Sequence, residues 1–126
     1  MEDLNQKILN EILLLFFTHH LELKMLHFQT KKYAVHKAVD VYLETFLENY
    51  DKFMEAAQGA VGRVSNKNVS IDFETLSDNN STERIDKFIG LLRDVDESLK
   101  KYPELVNIKE EIIGEAQKLK YLLTFI

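Results

Sequence analysis

The stretch KYAVHKAVDVYLETFLENYDKFMEAAQG, Lys32 to Gly59, decides how this chain folds. Val35, Val39, Leu43, Phe46, Tyr50, Phe53, Met54 and Ala57 recur at intervals of three and four, the period of an amphipathic helix, and no proline or glycine interrupts them before Gly59. A helical residue turns by about 100°, so with His36 as origin Asp40, Asp51 and Glu55 fall near 40°, 60° and about 100°. They form one polar stripe beside the apolar sector, expected to border the core rather than face open water.

His36 and Asp40 lie one turn apart and can chelate, as can Asp51 and Glu55. The two pairs are separated by about 16 Å along the axis, whereas the ligands of one ion must converge within a few ångström. One chain therefore cannot close the site. Two copies of this helix packed antiparallel about a two-fold axis near Thr45 would bring the first pair of one copy to the second pair of the other, giving two identical sites per dimer. Taken singly, each acid also fits a solvated helix face, and Glu44 and Glu48 share the sector.

Upstream, Leu4, Ile8, Ile12, Leu15, His19, Leu23 and Leu26 make the stripe of a first helix, from about Asp3 to Phe28. Ile12 to Phe17 is apolar nearly all round, which suggests contact with a second subunit. A short link, Gln29-Thr30-Lys31, makes the first two helices antiparallel neighbours and lets His27, at the end of the first, swing over the start of the second. His27, His36, Asp40, Asp51 and Glu55 together give a mixed nitrogen and oxygen donor set suited to Fe(II), with Mn(II) and Zn(II) as alternatives. His19 and His20 read as interface histidines, and Tyr33, Tyr42 and Tyr50 as core or interface residues.

Downstream, Val61 to Asn80 is rich in Ser, Asn and Asp and reads as a long link. Asn80 or Ser81 can cap a third helix, with Glu83 completing a capping box and Ile85, Phe88, Ile89, Leu92, Val95 and Leu99 as its stripe. Pro103 opens a fourth helix, whose core face is Leu105, Ile108, Ile112, Ala116, Leu119 and Leu123. About twenty extended residues can run the length of a thirty-residue helix. The predicted fold is therefore all-α, a single domain over residues 1–126: a ferritin-like four-helix bundle with a long crossover between the second and third helices.

With 126 residues the chain can bury a core, and without cysteine it can form neither a disulfide nor a thiolate zinc site. A net charge of −5 makes nucleic acid an unlikely partner, no run approaches the length of a membrane span, and the acidic N-terminus does not resemble a signal peptide. No membrane partner and a cytoplasmic location are expected.

The stretch His27 to Asp40, followed by Asp51-Lys52-Phe53-Met54-Glu55, resembles the ferroxidase segment of the Dps-like mini-ferritins, and Ile112 to Leu123 looks like that family's last helix. The resemblance implies iron as substrate, oxidised by hydrogen peroxide or dioxygen. It also implies that His27, His36 and Asp40 of one subunit meet Asp51 and Glu55 of its two-fold mate, in a homodimer that in the family closes into a dodecameric cage. Phe28 stands in place of the usual tryptophan. The lysine-rich tail that binds DNA in some members is absent, so DNA binding is not implied. Two other readings share the bundle: a non-catalytic interaction module, and a structural zinc site at a dimer interface.

Overall fold

The structure, a computed structural model, describes residues 2–65 and 68–125. It contains five helices: α1 (Gln6–Gln29), α2 (Tyr33–Val61), α3 (Ser81–Arg93), α4 (Asp96–Leu99) and α5 (Pro103–Leu122). No strand occurs among the described residues. One contiguous apolar core takes residues from all five helices, and Leu76 of the α2–α3 connection inserts into it.

α1 starts one turn later than the apolar pattern suggests because Asn5 caps it, its side-chain oxygen accepting from the Ile8 N–H at 3.0 Å. Leu4 belongs instead to an N-terminal segment docked on α4, where its N–H donates to the Ser98 carbonyl at 3.0 Å. The buried face of α1 is also turned slightly from the expected one. Leu9 and Phe16 are buried where Ile8 and Leu15 are half-buried, because Phe16 fills the space between Phe46, Tyr50 and Phe53 of α2.

Side-chain pairs set the helix directions. Gln6, at the start of α1, donates to the carbonyl of Val61 at the end of α2, while His27 near the end of α1 meets His36 near the start of α2. α1 and α2 are thus antiparallel. Glu22 meets Arg84 at the start of α3, and Ile8 and Ile12 share a cavity with Leu91 and Val95, so α3 also runs against α1 and parallel to α2. Asp86 early in α3 meets Lys120 late in α5, and Asp96 of α4 meets Lys109 early in α5, so α5 runs against α3 and therefore against α2, which it adjoins at Ala38 and Tyr42.

Two parallel helices need a connection that returns along the bundle. Residues 62–80 supply it: Gly62 lies against Gln6 at the start of α1, and Asp78 accepts a 2.6 Å hydrogen bond from Thr30 just beyond its end. Two crossover residues, Asn66 and Lys67, lie outside the described ones. Gly62 ends α2 with φ +94, where a side chain would be strained and its Cβ would stand 3.0 Å from Gln6 Nε2.

Two expectations for the second half need correction. The Asn80 side chain does not cap α3; its oxygen accepts from the Ser77 N–H at 2.8 Å, closing the last turn of the crossover instead. The third helix is also broken at Asp94 and Val95, leaving α4 as a separate turn. The break places Asp96 against Lys109 of α5, a lysine only 1% exposed, which Glu110 also contacts at 2.9 Å.

Candidate metal centre

The hairpin between α1 and α2 is held by Thr30. Its N–H donates to the Leu26 carbonyl, its hydroxyl accepts from the Lys32 N–H at 3.1 Å, and the same hydroxyl donates to Asp78. Only three residues separate the helices, so His27 and His36 are forced together. Their rings stack with centroids 3.8 Å apart and planes 20° from parallel.

The bonding between them is reciprocal. His27 Nδ1 donates to the backbone carbonyl of His36 at 3.1 Å, and His36 Nδ1 donates to that of His27 at 2.7 Å. A carbonyl can only accept, so both Nδ1 atoms carry the proton, and in the neutral rings both Nε2 atoms keep a lone pair. A backbone carbonyl fixing the tautomer and orientation of an imidazole is the outer-shell support that metal-binding histidines commonly have.

Asp40 follows one turn after His36 and is half-buried, whereas Asp51 and Glu55 are exposed. The polar stripe of α2 therefore turns out to solvent beyond Asp40, contrary to the expectation that it borders the core along its length. The physical reason is that the helices packed on α2, namely α1 and α5, cover it from other sides. α2 is one unbroken helix through both pairs, so Asp40 and Asp51 remain about 16 Å apart along it. Among the described residues no group of three or more His, Asp or Glu side chains gathers within holding distance of one ion. One chain thus brings His27 to His36, while Asp40, one turn further along α2, does not complete a three-donor group with them, and Asp51 and Glu55 lie at a distance. Glu55 instead lines an open polar cavity with Gln58, Gly59 and Arg63.

Residues 27–123 match the pattern of the family described as "Family of unknown function (DUF5856)". The chain belongs to that family. The DUF5856 match begins at His27 and includes all five candidate ligands, together with the crossover, α3, α4 and α5. No curated protein and no solved structure matches the sequence.

The other two histidines of this DUF5856 chain take structural positions. His19 is buried, stacks on Phe88 with centroids 3.6 Å apart and shares a 2.8 Å hydrogen bond with the Tyr42 hydroxyl through Nε2. Burial, with a smaller contribution from His20, pushes its pKa down to about 3, and burial pushes the Tyr42 hydroxyl up. His20 is half-buried beside Tyr50, and desolvation, aided by Lys24, lowers its pKa. Tyr33 is not a core residue: it is 76% exposed, with its ring 6.2 Å from that of His36.

The sequence gives little sign of one further polar group. Arg84 forms a two-point ion pair with the buried Glu22 at 3.0 and 3.1 Å, tying α3 to α1. Hydrogen bonding to Glu22 raises the Arg84 pKa. Glu22 lies three residues after His19, on the same side of α1, which is the only hint that this carboxylate turns inward.

Proposed function

We propose that this protein binds Fe(II) and oxidises it at sites shared between two-fold-related copies, as a divergent ferritin-like protein of the Dps-like kind. The carrying observation is the reciprocal His27–His36 pair. Two imidazoles, each with its Nδ1 proton committed to a carbonyl, keep an Nε2 lone pair for a metal, and Asp40 follows His36 by one turn of α2. Two histidines and one aspartate are too few donors to fill the coordination of an ion, and Asp51 and Glu55 are further carboxylates exposed on the same polar stripe of the same helix.

An antiparallel pairing of two α2 helices supplies them. His36 and Glu55 are centred on the same point as Asp40 and Asp51, just past Thr45, so a two-fold axis there sets each ligand level with its complement. Asp40 then faces Asp51, and two carboxylates at close range call for a cation between them. The surroundings of the axis favour burial: Leu47 of α2 is 49% exposed, and Phe17 and Leu21 of α1 are also exposed. The directions of α1, α2, α3 and α5, with a crossover joining two parallel helices, support the ferritin-like reading of the fold.

Nitrogen and carboxylate donors without thiolate suit Fe(II) as the substrate, with Mn(II) and Zn(II) as competitors. Each Fe(II) gives up one electron, and two such electrons reduce one hydrogen peroxide to water; dioxygen is the alternative oxidant. Storage of the ferric product would follow only if the dimers close into a cage, and the setting would be cytoplasmic.

Anaerobic titration with Fe(II), followed by oxidant, should give a ferric absorbance that Asp51→Ala and Glu55→Ala abolish. Equal oxidation by wild type and both variants would overturn the proposal. Tight Zn(II) binding without iron turnover would identify a structural zinc clamp instead.

A further inference from the structure

We infer that the end of the bundle carrying the α1–α2 turn docks on an anionic phospholipid surface. Residues 23–39, with Lys24, Lys31, Lys32 and Lys37, contain no acid, and neither do residues 116–126, with Lys118 and Lys120. The fold brings both to one end. His27 lies level with His36, and Leu119 and Leu122 lie level with Tyr42 and Ala38, so Phe28, Tyr33, Tyr121 and Phe125 come within about two helical turns of one another along the axis. In a chain of net charge −5 these two stretches are locally basic, with Asp78 held against Thr30 and Asp86 paired with Lys120 as the acids beside them.

The exposed aromatic rings are gathered there as well. Phe28 is 67% exposed, Tyr33 76%, Tyr121 62% and Phe125 51%; Phe17, at 36%, is the remaining exposed aromatic among the described residues and lies elsewhere. Lys24 sits over the Phe28 ring at 5.2 Å. Among the described residues none of Lys24, Lys31, Lys32 and Lys37 forms an ion pair. Lys31, Lys32 and Lys37 also flank the start of α2, the positive end of its dipole, where cations are unfavourable unless an anion offsets them.

Aromatic rings interspersed with lysines suit the boundary between headgroups and acyl chains: the rings enter it and the lysines meet anionic headgroups. The rings come from three separate segments and project from an end of the bundle, and none of them lines any of the cavities described between the helices. That favours a broad planar partner over a nucleic-acid strand, which would follow a groove. No helix among the described residues is long and apolar enough to cross a membrane, so the contact is peripheral. This inference does not depend on the metal reading.

The test is co-sedimentation of the full chain, in EDTA and at low salt, with phosphatidylcholine vesicles with and without phosphatidylserine. Binding is expected only with phosphatidylserine and should fall as salt rises. Lys31→Ala with Lys32→Ala should weaken it on the order of twentyfold, at about fivefold per lysine. Tyr33→Ser with Tyr121→Ser should weaken it without altering the thermal melt, since both side chains are exposed. The inference is overturned by absence of sedimentation, by unchanged binding in both double variants, by preferential binding of a single-stranded oligothymidylate that displaces the protein from vesicles, or by lysine variants that alter only the oligomeric mass.

Discussion

His27 and His36 hold each other through exchanged hydrogen bonds, each Nδ1 donating to the other's backbone carbonyl at 3.1 and 2.7 Å. The arrangement is local to a three-residue turn, yet it fixes the tautomer of both neutral rings. Long-range proton–nitrogen NMR of the metal-free protein should show both as the Nδ1–H tautomer. Fe(II) or diamagnetic Zn(II) should then perturb the Nε2 signals. His36→Ala removes one of the two bonds and a donor, so stability should drop by about 1 kcal/mol while metal binding is lost. A fully metal-competent His36→Ala protein would show that the pair is only a clasp for the hairpin.

His19 is expected to set the acid limit of the fold. Its ordinary value is 6.5, and in the folded protein burial lowers it to about 3. Between these values the unfolded chain binds a proton that the folded chain refuses, so stability falls as pH drops from 6.5 toward 3, by at most about 1.4 kcal/mol per unit. Above 6.5 His19 contributes no pH dependence. Urea unfolding at a series of pH values measures the slope. His19→Leu combined with Tyr42→Phe removes both polar partners and should flatten it, and an unchanged slope would assign the acid sensitivity to other groups.

The Glu22–Arg84 pair should reveal itself through the asymmetry between single and double substitution. Arg84→Met leaves the Glu22 carboxylate buried without its cation and should cost about 3–5 kcal/mol. Glu22→Met with Arg84→Met removes the stranded charge and should recover most of that loss. Denaturant midpoints at neutral pH distinguish the two. A double variant as unstable as the single one would mean that packing of the long side chains, not charge, ties α3 to α1.

The helices were legible because their apolar period is unbroken, and the antiparallel hairpin because three residues leave no other course. The break at Asp94 was hidden: Leu92, Val95 and Leu99 keep helical spacing across it, and the contact it sets up, between Asp96 and Lys109, is tertiary. Lys109 itself left a readable sign, since it occupies a core position in the series Leu105, Lys109, Ile112, Ala116. At the candidate site, spacing alone separated the pair at His36 and Asp40 from the pair at Asp51 and Glu55. The reciprocal histidine bonds could not be read from spacing, because they depend on the orientation of two backbone carbonyls.

Leu47 offers a test of the two-fold reading that touches no ligand. It falls near 20° on the α2 wheel with His36 as origin, beside Asp40 and Asp51 and about two residues from the proposed axis. An apolar side chain that is 49% exposed there gains free energy when a second copy covers it. Leu47→Arg would place two cations across the axis, and their burial without partners should disfavour the dimer by several kcal/mol. Analytical ultracentrifugation should show wild type as a dimer or a multiple of one, and Leu47→Arg as a single chain. Iron oxidation should fall by at least about tenfold, since each half-site loses Asp51 and Glu55 of its mate, while the tautomer signals of His27 and His36 stay unchanged. A Leu47→Arg protein that becomes a single chain yet keeps its oxidation rate would place the metal chemistry within one chain, and one that keeps its dimeric mass would place the interface away from Leu47.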